Sequence, residues 1–250
     1  AYPMKFYLSG GQVTFNVAFG GATDVWTSQE IYGPGGIVVV GSGRAQGLTL
    51  QGVNTFEGGV TLGLPNSTDS LNIQLFNVNS LGTGTLRTEL TGTDLNVGGL
   101  RIQGDLSDGV ENPIDLVTGA RLVVNTRPDG VAPTGNPVLF TGLITGGGSL
   151  IKRGDGTMGI SGANTYRGTT TINGGTLQVV NTNSLGTNKL IIKLITSGNG
   201  PATVAVAQLD YTGTKGIGGL TIDDVVQPDG SYGSTASGAD TVDDVHFSGT

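Results

Sequence analysis

The sequence predicts an all-β solenoid, a chain wound into stacked rungs of short strands. Three observations carry this reading. Apolar pairs and triplets recur along the chain, each bounded by Gly, Asn or Asp, and no window keeps the i, i+3, i+4 spacing of a buried helix face for three turns. Glycine fills 46 of 250 positions, far above its usual share of about 7%. Glycine loses the most backbone freedom on folding, so this content has to be offset by extensive regular pairing, which stacked rungs supply. Finally, the same landmarks are written twice. QGVNTFEGGVTL (51–62) reads against SGANTYRGTTTI (161–172) at an offset of 110, and NVNSLGT (77–83) reads against NTNSLGT (181–187) at 104. GGLRI (98–102) then reads against GGLTI (218–222) at 120. Repetition of short strands and turns is the signature of a solenoid.

Composition narrows the function classes. Charged residues are 12% of the chain, about half the usual fraction, while 36% is hydrophobic, which is not the profile of a disordered chain. There is no cysteine, hence no disulfide framework, thiolate metal site or Cys nucleophile. A net charge of −7 from 12 basic and 19 acidic residues argues against a nucleic-acid partner, which needs clustered Lys and Arg. No apolar run approaches the roughly 20 residues of a membrane span, and no signal peptide is visible.

The chain divides into three parts. Residues 1–32 hold Tyr2, Phe6, Tyr7, Phe15, Phe19, Trp26 and Tyr32, seven of the fourteen aromatics. Two strands meeting at Gly10-Gly11 fit their alternation. This segment reads as a cap over the first rung or as an assembly segment packing on a neighbour, with Phe6, Tyr7, Phe15, Phe19 and Trp26 as its contacts. Nothing comparably aromatic stands at the other end.

Residues 33–222 form the solenoid, from two related units at 33–110 and 146–222. Predicted strands in the first lie at 37–40, 48–50, 60–62, 71–75, 86–90, 95–97 and 100–102. Residues 121–124 and 138–140 continue them, and the Pro-rich stretch 125–137 reads as a protruding loop. In the second unit 150–151, 158–160, 171–172 and 177–180 are strands. The apolar runs 189–194 and 201–209 suggest burial on both faces. At roughly 20–25 residues per rung the chain makes about ten rungs. Asn54 and Asn164 are candidates for a corner ladder, in which side-chain amides bond backbone groups at sharp turns. Residues 223–250 form an acidic C-terminal segment.

Candidate chemistry is sparse. Arg153-Gly154-Asp155 is a tripeptide that integrins read in adhesive proteins, and it also reads as a plain tight turn. The tail carboxylates Asp223, Asp224, Asp229, Asp240, Asp243 and Asp244 suit Ca²⁺ in kind, but their spacing is not that of a calcium loop. Glycan cleavage needs two carboxylates on one face. Glu57, Asp69, Glu89 and Asp94 are scattered, and only Asp105 and Asp108 are close, in a Gly-bounded turn. His246 is the single histidine, and no G-x-S-x-G elbow occurs. Asn66-Ser67-Thr68 is a glycosylation sequon. No cofactor, metal or catalytic residue is expected.

The segment LIKRGDGTMGISGANTYRGTTTINGGTLQV (150–179) resembles the autotransporter-associated β-strand repeat, also called the passenger-associated transport repeat. It carries the family's Lys-x-Gly-x-Gly-Thr, Ser-Gly-Ala-Asn-Thr-Tyr and Gly-Thr-Leu landmarks. The first copy is a decayed version, with Gly41 and Gly43 near the expected run and no Lys. The resemblance implies a right-handed parallel β-helix, secreted or held at a bacterial cell surface, and it implies no catalytic activity. The C-terminal membrane barrel of a complete autotransporter is not seen in this sequence.

Together these readings predict a non-catalytic extracellular structural protein. In the first form its β-solenoid subunits stack head to tail on copies of themselves into a filament or sheath. The alternative is an autotransporter-type passenger stalk or adhesin, with surface glycan or cell contact and the 125–137 loop on display. The third reading is a polysaccharide-processing enzyme.

Overall fold

The computed structural model describes residues 5–17, 25–27, 29–41, 47–68, 71–92, 99–126, 137–193 and 204–249, and for 25–27 the backbone alone. Among them there is no α-helix, and nearly every strand pair is parallel. The chain is all-β and built as a β-solenoid. The predicted strand at 95–97, most of the 125–137 loop and Phe19 lie outside the described residues.

Each coil visits three faces. The third face is the longest ladder. Nine parallel strands stack from Val25–Thr27 through Gly47–Leu50, Asn72–Leu75, Gly99–Ile102, Arg121–Asn125, Ser149–Arg153, Thr170–Asn173 and Leu190–Lys193 to Leu220–Ile222. The second face stacks Gln12–Asn16, Gly36–Val40, Val60–Leu62, Leu86–Thr88, Ile114–Leu116 and Ile144–Gly146. The first face begins as Phe6–Tyr7, Ile31–Gly33 and Thr55–Phe56 and ends as Val138–Phe140, Thr157–Ile160, Gly175–Val179, Ala205–Leu209 and Phe247–Gly249. Thr83 N–H donates to Phe56 O and Val110 bridges Phe140, which extends each part toward the other.

The core is a set of vertical columns. On the third face Leu48, Ile73, Leu100, Val124, Lys152, Ile172, Ile192 and Ile222 are successive register partners. Beside them run Leu122, Leu150, Thr170, Leu190 and Leu220. Stacking equivalent side chains buries each against its neighbours one strand spacing, about 4.8 Å, above and below. Each column holds one polar residue, Lys152 and Thr170, and both lie in the family-like segment.

The first two pairs of landmarks do not lie above one another. Residues 60–62 are on the second face, and their counterparts at offset 110 fall in Thr170–Asn173 on the third. Asn72–Leu75 is on the third face, and its counterpart Gly175–Val179 is on the first. These two landmarks are therefore shifted by one side of the prism, whereas the strands in GGLRI and GGLTI, at offset 120, both fall on the third face. To the local chain each side is the same object, a corner followed by a short strand, so one motif fits any of them. The change of offset from 110 to 104 is the longer connection between Leu62 and Leu75 than between Ile172 and Val179.

Other expectations are revised. Leu190–Lys193 and Ala205–Leu209 alternate inward and partly exposed residues, so their apolar runs cover one face and not two. Gly10-Gly11 joins strands that pair with the coil above and not with each other, because both residues take positive φ and turn a corner. The C-terminal segment returns to the coil. Val225–Val226 runs antiparallel to Leu220–Ile222, and Phe247–Gly249 pairs in parallel with Ala207–Leu209. Phe247 is buried there and Tyr232 packs on the core, so this end also has aromatic cover.

Candidate functional site

The segment 150–179 shows what its landmark residues do. Lys152 sits at an inward position between Val124 and Ile172 and is fully buried. Its Nζ donates to the carbonyls of Arg153 (3.2 Å), Gly154 (2.5 Å) and Gly174 (2.9 Å). An ammonium has three donors, and three corner carbonyls on two successive coils meet them. Burial pushes its pKa from 10.5 down to about 7, against the pull of Asp155. The three carbonyls also favour the charged form. The lysine ties the corner at Arg153-Gly154-Asp155 to the tighter corner at Asn173-Gly174-Gly175. The second corner needs glycine, since Gly174 and Gly175 have φ of 89° and 63°, and a Cβ on Gly175 would stand 2.4 Å from Gly154 O.

Tyr166 is fully buried, and its hydroxyl shares a 2.7 Å hydrogen bond with Thr170 Oγ1, the other polar core residue. Burial pushes the phenol pKa up, opposed by the Thr170 bond and the Gly186 backbone, so it stays neutral. The ring leaves no room above it: a Cβ on Gly186 would lie 2.7 Å from it. In the first copy Phe56 and Val60 stand where Tyr166 and Thr170 do, both buried, with Gly82 against the Phe56 ring. A hydroxyl pair in one copy is an apolar pair in the other.

Asn54 and Asn164 make the same contacts. Asn54 Oδ1 accepts from Ile31 N–H (2.9 Å) and its Nδ2 donates to Ser80 O (2.7 Å). Asn164 Oδ1 accepts from Ile144 N–H (2.8 Å) and its Nδ2 donates to Ser184 O (2.6 Å). Each amide spans the coil below and the coil above, acting singly and not as one of a stack of asparagines. Asn112, which the sequence reading missed, is a third buried corner amide, donating to Gly82 O and Gly84 O.

The other candidates are dispersed. Phe6 and Tyr7 are 44% and 57% exposed at the first coil, with the Tyr7 and Tyr32 rings 5.1 Å apart, while Phe15 packs partly on the core. The side chain of Trp26 lies outside the described residues. Asp155 is exposed at the turn after Arg153. The tail carboxylates cap turns: Asp244 accepts from Thr235 N–H, Asp243 from Val245 N–H, and Asp240 from Ser231 Oγ, while Asp224 pairs with Lys193. Among the described residues no group of three or more His, Asp or Glu is placed to hold a metal ion. Asp105 accepts from Ser107 N–H, and Arg87 joins Glu89 and Asp115 in an ionic cluster on the second face.

Residues 150–179 match the family model described as Passenger-associated-transport-repeat. This chain carries a passenger-associated transport repeat. An alignment over 182 positions, covering 69% of the chain, is 29% identical to the Adhesin BmaC autotransporter of Brucella suis biovar 1 (strain 1330) and spans 5% of that protein. No solved structure matches. The passenger-associated transport repeat occupies the strands from Ser149–Arg153 to Gly175–Val179, with parallel strands paired on both sides of it. Its Lys152, Asn164, Tyr166, Gly174 and Gly175 close corners or fill the core.

Proposed function

We propose that this chain is a segment of an autotransporter-type passenger, secreted or displayed at a bacterial cell surface, which serves as a non-catalytic stalk with adhesive contacts. One observation carries the reading: the family repeat is a structural element inside an unbroken parallel ladder, and the relative that shares most of the chain's length is named an adhesin. The coil is right-handed, as parallel strand–crossover–strand connections almost always are, and makes about ten rungs. The test is to display the chain on a non-adherent bacterium and measure attachment to animal cells and to immobilised glycans. Attachment above the empty display scaffold is expected. Equal attachment would remove the adhesive part of the reading.

A second reading is head-to-tail stacking of copies into a filament or sheath. It draws on the first coil, where Phe6, Tyr7 and Val13 are exposed on strands paired on one side only. Electron microscopy of the concentrated protein separates the two. Regular fibres that vanish on deleting residues 1–20 support stacking, and single short rods support the stalk.

A further inference from the structure

We propose that an outer column on the third face, Arg101, Asn125, Arg153, Asn173 and Lys193, is a binding track for a linear acidic polysaccharide with one carboxylate per disaccharide. The inference rests on the adhesive reading above and names its ligand. These five residues are consecutive register partners, one per coil. Cation and amide alternate without a break, and the three cations are a quarter of the chain's 12 basic residues.

The spacing selects the ligand. Coils stand about 4.8 Å apart, so cations on alternate coils stand about 10 Å apart. An extended pyranose chain advances by about that length per disaccharide, and one sugar covers one coil. A carboxylate on every second sugar then meets Arg101, Arg153 and Lys193 in turn. A guanidinium fork suits a carboxylate, and the half-buried Asn125 amide offers a donor and an acceptor to the hydroxyls of the sugar between Arg101 and Arg153. Asn173 is 2% exposed and both its amide atoms are shielded, so the sugar between Arg153 and Lys193 passes over this position without a hydrogen bond to it. Arg101, Asn125 and Arg153 are half-buried, and the Lys193 side chain is 40% exposed. Lys193 also carries Asp224, its Nζ 2.7 Å from the carboxylate, which a polyanion must displace.

The experiment measures binding of the purified chain to hyaluronan oligosaccharides, which carry one carboxylate per disaccharide. Oligogalacturonate, with one per sugar, neutral dextran fragments and oligothymidylate are the comparisons. Hyaluronan binding that weakens as salt rises is expected, at least tenfold tighter than to the others. The Arg101→Gln, Arg153→Gln, Lys193→Gln triple variant, checked for an unchanged unfolding midpoint, loses it. Asp224→Asn leaves the column intact and tightens binding several-fold. No hyaluronan binding at low salt, equal binding to oligothymidylate, or no change in the folded variants overturns the track. If displayed cells adhere while the purified chain ignores hyaluronan, the track fails and the adhesive reading stands. If the chain binds hyaluronan but displayed cells do not attach, the reverse holds.

Discussion

The Nζ of Lys152 lies 2.9 Å from the carbonyl of Gly174, so a side chain rooted in one coil closes the corner of the next. Lys152→Ala removes the aliphatic stem from a packed column and leaves three corner carbonyls without their donor. A loss of about 3 kcal/mol in urea unfolding is expected. Lys152→Met keeps the stem and costs about 1 kcal/mol. The pH profile tests the charge. With a folded pKa of about 7 against 10.5 unfolded, the unfolded chain binds this proton between those values and the folded chain releases it. Stability from this group therefore rises as pH climbs from about 7 toward 10.5 and is flat below. Lys152→Met abolishes that rise. A wild-type profile that is flat or falling across the window would show that the carbonyls hold the ammonium at its ordinary pKa.

Tyr166 and Thr170 form a hydroxyl pair that Phe56 and Val60 replace in the first copy, which makes a ready double-mutant cycle. Tyr166→Phe leaves the Thr170 hydroxyl buried without this partner, and Thr170→Val leaves the phenol with the Gly186 backbone alone. Each single change costs about 1–2 kcal/mol. The double variant recreates the first copy's pair and is more stable than the sum of the two losses implies, by about 1 kcal/mol. Additive losses in urea unfolding would mean that the hydroxyls do not interact.

The fold class was legible because glycine corners and duplicated landmarks are local facts. Val60–Leu62 and Val138–Phe140 fall where their apolar residues put them. The shift of the first landmarks by one face was not legible. An offset of 110 residues does not state how many corners the chain has turned, and coil length varies with each connection. Thr55–Phe56 and Ile144–Gly146 escaped notice because each has a single large apolar residue and exists as a strand only through its neighbours. The lysine's place was hidden as well, since a charged residue is assigned outward by default. Only the register, which sets Lys152 between Val124 and Ile172, reveals that it points in.

Asn54 and Asn164 give a prediction that sequence and structure reach together. Replacing either by Ala strips a donor and an acceptor from a buried corner, leaving Ile31 N–H with Ser80 O, or Ile144 N–H with Ser184 O, unpaired. The expected cost is about 2–4 kcal/mol at each site, from two stranded groups. The two losses should add, because the sites are several coils apart and share no partner. Asn164→Asp is a sharper probe. It keeps the acceptor for Ile144 but turns a carboxylate toward Ser184 O, so it should be at least as harmful as Ala at neutral pH. Changes below about 0.5 kcal/mol in urea unfolding would reduce both residues to ordinary turn positions.

The last prediction concerns how the C-terminal segment is held on the coil. Asp243 accepts from Val245 N–H and from His246, its backbone carbonyl accepts from Phe247 N–H, and His246 O accepts from Ala207 N–H on the first face. Burial would raise the Asp243 pKa, but the His246 and Val245 bonds outweigh it and hold the carboxyl below its usual 3.8. A depressed carboxyl stabilises the docked state above the unfolded pKa, and that stabilisation is lost as pH falls through the lower folded value. Acid should therefore loosen the segment before the solenoid, whose inner columns on the third face hold no carboxylate. Hydrogen exchange at the Ala207 amide, set against Ile172 at each pH, reads this out. Asp243→Asn should raise Ala207 exchange at neutral pH and erase its extra rise in acid. If Ala207 and Ile172 respond alike in both proteins, the segment is not held through Asp243.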